Sequence, residues 1–359
     1  MKKNFLFRLS AIAMSLILVA CGGSTSEDVV ENETTAIESE ESLNVVVTTP
    51  MLGEFVKQVA GDSVVLDILM PAEADPHTYD PSPQDAAKIA DADIVLYVGI
   101  KYETSSLLKL IENTASTNAT LLEIGEEIDP IEFKDGERDH GHHDDHDEDG
   151  HDDHDEEGHD DEDGHDDHDE EGHEGHEGHD HGSEDPHFWF DPVRVAMAVE
   201  VIKDSLVSLD PANSSTYEAN ADNFISELTD LDAQVKELIE SVSEDNRKIV
   251  TTHEALGYLE ARYGIEIFAT IIPSLSTADE ISPSQIADVI DVIEDNNIKV
   301  LFVESEAPSV YAETVVAEAG ITAVTGLYVE TLKDGQTYSD FLISNVTLIV
   351  ESLNSAGEG

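Results

Sequence analysis

The chain has 359 residues and sets 81 acidic against 17 basic side chains, a formal charge of −64 at neutral pH. That balance argues against a nucleic-acid partner, which needs clustered lysine and arginine, and favours cations. The single cysteine rules out an internal disulfide framework.

Residues 1–20, MKKNFLFRLSAIAMSLILVA, run from a basic start through an apolar stretch to small residues. They are read as a secretory signal peptide, too short in its apolar part for a membrane span. The stretch ends in LVAC, which resembles the bacterial lipoprotein box and implies cleavage before Cys21 and a lipid on its thiol. Residues 21–42 read as the acylated cysteine and a flexible acidic tether.

From Leu43 onward, strands and helices alternate. LNVVVTTP (43–50), SVVLDILMP (63–71) and DIVLYVG (93–99) are predicted strands. MLGEFVKQVAG and SPQDAAKIADA are predicted helices, the second capped by Ser82 with Pro83 at its first position. Residues 194–209 form an amphipathic helix, and 214–242 a long one. Strands and helices then alternate again through RKIVTTH (247–253), EALGYLEARYG, IEIFATI, PSQIADVIDVIEDNN, KVLFVES (299–305), APSVYAETVVAEAG and ITAVTG, with a last helix from Tyr338 to Leu353. Short apolar strands between helices predict an α/β fold with mainly parallel sheets. The expected organisation is two α/β lobes joined by a long linking helix, with a cleft between them. The lobes span 43–210 and 243–353, and the linking helix 211–242.

Residues 135–185 break this pattern. They hold 27 acids and one arginine, so the rest of the chain still carries −38, an acidity that also fits a solubility adaptation. The decapeptide GHDDHDEEGH occurs at 150–159 and again at 164–173. A repeat without apolar residues cannot build a core, so the segment is expected to be a disordered loop. It carries 13 of the 16 histidines: His140, His142, His143, His146, His151, His154, His159, His165, His168, His173, His176, His179 and His181.

The other three are His77 in DPHTYDPSPQD, His187 in DPHFWFDP and His253 at the end of KIVTTH. All sit at ends of predicted elements, where an open α/β sheet places its ligand crevice. Three imidazoles plus one carboxylate make a four-coordinate site suited to Zn²⁺. A protease reading fails on spacing: His253-Glu254 begins an HExxH motif, but the second histidine would fall on Gly257. With no nucleophile elbow and no Walker loop, an enzyme is not expected.

Taken together, DPHTYDPSPQD, DPHFWFDP, THEALGYLEARYGI, LFVESEAPS and GLYVETL followed by TYSDFLISN resemble the metal-binding lipoproteins of bacterial ABC importers for zinc and manganese, the ZnuA-like branch above all. The resemblance covers nearly all of 43–353. It implies His77, His187 and His253 as metal ligands. It places the fourth ligand on Glu330, where many relatives are expected to have aspartate; water, Asp80 or Glu304 remain alternatives. It implies Zn²⁺ as cargo ahead of Mn²⁺, because His253 stands where manganese-type relatives tend to carry a carboxylate. It further implies an ABC permease and its ATPase as partners, a lipid-anchored monomer on the outer side of the membrane, and small lobe movements. The competing readings are a surface zinc buffer or adhesin-like protein without a permease, and a three-histidine metallohydrolase. The acidic tract is expected either to collect or sense zinc for the cleft or to be a solubilising insert.

Overall fold

The computed structural model describes residues 42–133, 184–306 and 310–357. The first sheet contains β1 (Leu43–Val47), β2 (Val64–Ile68), β3 (Ile94–Tyr97) and β4 (Thr120–Glu123), ordered β2-β1-β3-β4 and parallel throughout. Its helices are α1 (Pro50–Ala60), α2 (Pro83–Ala90), α3 (Ser105–Thr114) and α4 (Pro192–Leu209). The second sheet contains β5 (Lys248–Thr251), β6 (Glu266–Thr270), β7 (Val300–Glu304) and β8 (Thr322–Leu327), ordered β6-β5-β7-β8 and also parallel. Around it lie α6 (Gly257–Tyr263), α7 (Pro283–Asp295), α8 (Val310–Ala319) and α9 (Tyr338–Gly357). Between the lobes runs α5 (Ser214–Glu240).

Local chemistry explains where elements begin. Ser82 accepts from the Asp85 N–H while the Asp85 carboxylate accepts from the Ser82 N–H, and Pro83 opens α2. The same reciprocal cap, Ser282 with Gln285, starts α7. These side chains satisfy backbone groups that a helix terminus leaves without partners. Pro192 opens α4 two residues earlier than the predicted start. In contrast, α6 begins only at Gly257, because Glu254–Leu256 follow an irregular path in which the Ala255 N–H bonds the His253 carbonyl.

The central strands of both sheets are buried on two faces, and alternation along them sorts side chains between the faces. Val45, Val47, Ile94 and Leu96 of the first sheet, and Ile249, Val300 and Phe302 of the second, enter one continuous core. Val46 and Val95 instead face α2 and α3, and Val250 and Leu301 face α7 and α8. Side chains buried to this degree stabilise by roughly 1.5–3 kcal/mol each. The shared core runs from α1 through α5 to α9. On α5, Tyr217, Ala221, Phe224, Leu228, Leu231, Val235 and Ile239 form the buried stripe of a 27-residue helix, about 40 Å long at 1.5 Å per residue. Tyr338 at the start of α9 packs edge-on to Phe55 of α1, with centroids 5.4 Å apart. A wide lobe opening would expose this core, so the packing opposes it. No helix among the described residues is long and apolar enough to cross a membrane.

Candidate metal centre

Two Asp-Pro-His tripeptides place the first-lobe histidines, His77 and His187. In each, the aspartate Oδ1 accepts the N–H of the histidine two residues on, at 3.0 Å for Asp75–His77 and 2.9 Å for Asp185–His187. Proline fixes φ between them, so the turn sets the direction of the imidazole. The two copies then diverge. Asp185 Oδ1 also holds His187 Nδ1 at 2.8 Å. Asp75 uses its other oxygen to accept from Thr277 Oγ1 of the second lobe, at 2.8 Å.

The second lobe places its two candidate residues, His253 and Glu330, past strand ends. His253 lies just past β5, and its Nδ1 meets Glu304 Oε2 at the end of β7, 2.5 Å away. Glu330 follows β8 in a backbone segment bound from both sides. Its carbonyl accepts from Tyr102 Oη at 3.0 Å, and the Val329 carbonyl accepts from Trp189 Nε1 at 2.7 Å, both donors from the first lobe. The N–H groups of Val329, Glu330 and Thr331 all point to Glu306 Oε1, at 3.0, 3.1 and 3.3 Å. Tyr102 is aimed by a strained turn in which Ile100 and Lys101 have φ of 50° and 60°.

One ligand atom from each of His77, His187, His253 and Glu330 lies within 4.8 Å of every other. Glu330 Oε1 is 3.4 Å from His77 Nε2, 3.5 Å from His187 Nε2 and 2.7 Å from His253 Nε2. The side chains are at most 3 % exposed. All three Nε2 atoms and both Glu330 oxygens are buried without a hydrogen-bond partner, an arrangement that is costly unless something else satisfies them. A tetrahedral Zn²⁺ with bonds of about 2.0–2.1 Å spaces its ligand atoms about 3.3–3.4 Å apart. The His77 and His187 distances match that spacing, and His253 has to separate from Glu330 by roughly 0.6–0.7 Å. With Asp185 and Glu304 on the Nδ1 atoms, His187 and His253 present Nε2 inward, the tautomer a metal needs.

The field in the cluster attracts cations. Burial opposes charge on each imidazole, yet Glu330 and Asp185 lift His187 to about 9, and Glu304 with Glu330 lift His253 well above its ordinary range. Burial alone would raise Glu330, but His187 and His77 hold it well below the usual carboxylate range. A cleft of about 1100 Å³ opens beside the cluster, lined by His77, Tyr102, Pro186, Leu275 and Asp279 among others. Of the four clustered residues only His77 lines it, so His77 faces the entrance.

The alternative fourth acids go elsewhere: Asp80 is exposed, and Glu304 is engaged by His253. Glu330 is 1 % exposed and sits within the cluster. Trp189 and Phe190 are fully buried, as packing residues should be, although Trp189 also bonds the Glu330 segment. Glu254 accepts from Thr270 Oγ1. Cys21 and the thirteen tract histidines, His140 to His181, lie outside the described residues. Sequence reasoning missed the supporting roles of Asp75, Tyr102, Asp185 and Glu306. The repeated Asp-Pro-His tripeptide was the available signal for two of them.

Residues 45–352 match the sequence profile of ZnuA, described as zinc-uptake complex component A, periplasmic. The chain belongs to this family. It is 25% identical to the manganese-binding lipoprotein MntA of Halalkalibacterium halodurans, over 98% of this chain and 99% of that one. It is 31% identical to the zinc-binding lipoprotein AdcA of Streptococcus pneumoniae, over 99% of this chain but 62% of AdcA. It is 26% identical to the iron ABC transporter substrate-binding lipoprotein MtsA of Streptococcus pyogenes, over 98% and 99% of the two chains. The fold matches the periplasmic zinc-binding protein TroA of Treponema pallidum with a TM-score of 0.68 at 22% identity, covering 86% of this chain and 98% of TroA. The names of these proteins differ in the metal: manganese for MntA, zinc for AdcA and TroA, and iron for MtsA, which is also named as the substrate-binding lipoprotein of an ABC transporter.

Proposed function

We propose that this chain is a zinc-capturing lipoprotein that holds Zn²⁺ between its lobes and delivers it to an ABC permease driven by its ATPase. The observation that carries this reading is the cluster of five unpartnered buried atoms on His77, His187, His253 and Glu330. Three imidazole nitrogens and one carboxylate favour zinc, whereas manganese prefers oxygen ligands. The action is capture and release, without bond chemistry. Cys21 would carry the lipid anchor, 21–42 would hold the folded part off the membrane, and the protein would work as a monomer outside the cytoplasm. The domains would follow the boundaries read from the sequence, with 211–242 as the linking helix.

The tract of residues 135–185 is proposed as an accessory zinc collector. Its ends enter the fold beside the cluster: Glu132 and Glu184 form an antiparallel bridge, and Asp185 holds His187. A composition without apolar residues offers no core to fix a site in place, so a site within the tract would bear an ordering cost of about 1–2 kcal/mol per residue, which limits affinity for each ion.

A second reading, Mn²⁺ as cargo, is favoured by relatives such as MntA that are named for manganese and match along nearly their whole length. Competitive titration of the mature protein with Zn²⁺ and Mn²⁺ separates the two. The zinc reading expects one tight Zn²⁺ site that equimolar Mn²⁺ does not displace, lost in His187→Ala and kept when 135–185 is deleted. Equal retention of Mn²⁺, or a tight site that survives His187→Ala, would contradict it.

A further inference from the structure

Both second-lobe members of the cluster depend on one short segment, Glu304-Ser305-Glu306. Glu304 accepts from the His253 N–H at 3.1 Å and meets its Nδ1, fixing that imidazole. Two residues on, Glu306 gathers the N–H groups of Val329, Glu330 and Thr331 on a single oxygen. Between them the Ser305 N–H bonds the Leu327 carbonyl at 2.8 Å, which ties the segment to the end of β8. Among the described residues Glu306 is the acceptor for these three N–H groups, whereas the carbonyls of Val329 and Glu330 are bound by the first lobe. The backbone that carries Glu330 is therefore held by its carbonyls to one lobe and by its amides to the other, and Glu306 supplies the whole amide side.

We infer that Glu306 is a positioning residue for the metal site, acting through the backbone of Val329–Thr331 to hold the Glu330 carboxylate against the three imidazoles. With Glu304 it makes the end of β7 a common support, so that a shift of this segment moves His253 and Glu330 together. An oxygen that accepts three backbone N–H groups is hard to replace: without it, buried donors lose their partner and the segment relaxes. The inference rests on the cluster being the metal site.

The test uses the mature full-length chain with one equivalent of Co²⁺, whose visible absorption reports coordination geometry, together with chelator competition for affinity. His187→Ala supplies the signal of any sites outside the cluster. Glu306→Ala is expected to lose about 10–100-fold in affinity, the range typical for supports of metal ligands, with a changed Co²⁺ spectrum. Glu306→Gln keeps the accepting oxygen and is expected to restore most of the affinity and the parental spectrum. Glu306→Asp keeps the carboxyl group but falls short by one methylene, and is expected to be intermediate; it decides the matter if the alanine variant does not fold. Parental affinity and spectrum in Glu306→Ala or Glu306→Asp would overturn the positioning role while leaving the site intact. So would a loss in Glu306→Gln as large as in Glu306→Ala. Identical spectra for the parent and His187→Ala would overturn the site itself, and the inference with it.

Discussion

The two sheets share one strand order, and in each the order reverses between the first and third strands of the lobe. Such a reversal opens a crevice at the carboxyl ends of the strands. In the second lobe the crevice holds His253, past β5, and Glu304, at the tip of β7. In the first lobe the equivalent place is closed by Glu103, which accepts from Thr48 Oγ1 at 2.7 Å, the Val98 N–H at 2.7 Å and the Gly99 N–H at 2.9 Å. Burial raises Glu103 above the usual carboxylate range even though these donors pull it down. One architecture thus uses a buried glutamate in two ways. In the first lobe it seals the sheet, and the histidines come from Asp-Pro-His turns outside it. In the second it supports His253 at the sheet itself.

That contrast can be broken by experiment. The largest effect is expected from His253→Ala, which should cost more than the roughly 100-fold typical of supporting residues and leave Glu304 Oε2 without its imidazole partner. His77→Ala should cost less in the same Zn²⁺ competition assay, because His77 lines the cleft, where water can take its place. Next come the two glutamates. Glu103→Ala should destabilise the metal-free protein by at least about 3 kcal/mol, since three buried donors lose their acceptor, with little change in affinity per folded molecule. Glu304→Ala should instead lower affinity by about 10–100-fold. Denaturant melts and metal titrations on both variants check the pair, and a similar pattern in both would erase the distinction between the lobes.

Gly257 sharpens the comparison on the first-lobe side. A Cβ there would stand 2.5 Å from Asp185 Oδ2, the carboxylate that orients His187. Gly257→Ala should therefore weaken Zn²⁺ by about 10-fold, the low end for a displaced support, with the fold kept by circular dichroism.

The smallest effect concerns the joint between the lobes. Arg262 of α6 binds both Asp232 of α5, at 2.5 Å, and Asp191 at the start of α4, at 3.2 Å. Its hydrogen bond, joined by that of Tyr263, holds Asp232 below its ordinary value against the opposing effect of burial. A depressed carboxylate stabilises above the unfolded aspartate value of about 3.9 and loses that contribution as pH falls through its lower folded value. Asp232→Asn should therefore lower Tm at pH 7, with the gap to the parent closing below about pH 4.

Much of this was legible because strands, caps and rare residues leave local marks. Ser82-Pro83 marked a helix start, and β-branched runs marked the strands. Three histidines outside a histidine-rich tract stood out by position, and the structure brings all three together with Glu330. In contrast, α3 and β4 went unassigned: β4 has only four residues, none of them fully buried, and so carries no strong apolar pattern. The roles of Glu103 and Glu306 left no mark either. Their partners are mainly backbone N–H groups supplied by distant turns, and backbone groups have no sequence signature.

The central claim is that one cation sits between three Nε2 atoms and Glu330, bridging a turn-built half-site and a strand-built one. Anomalous diffraction from crystals loaded with one equivalent of Zn²⁺ tests it most directly. The account predicts a single strong peak about 2.0–2.1 Å from the Nε2 atoms of His77, His187 and His253 and about 2.0–2.2 Å from a Glu330 oxygen. A peak bound by ligands of one lobe only, or no peak in the cluster, would contradict it.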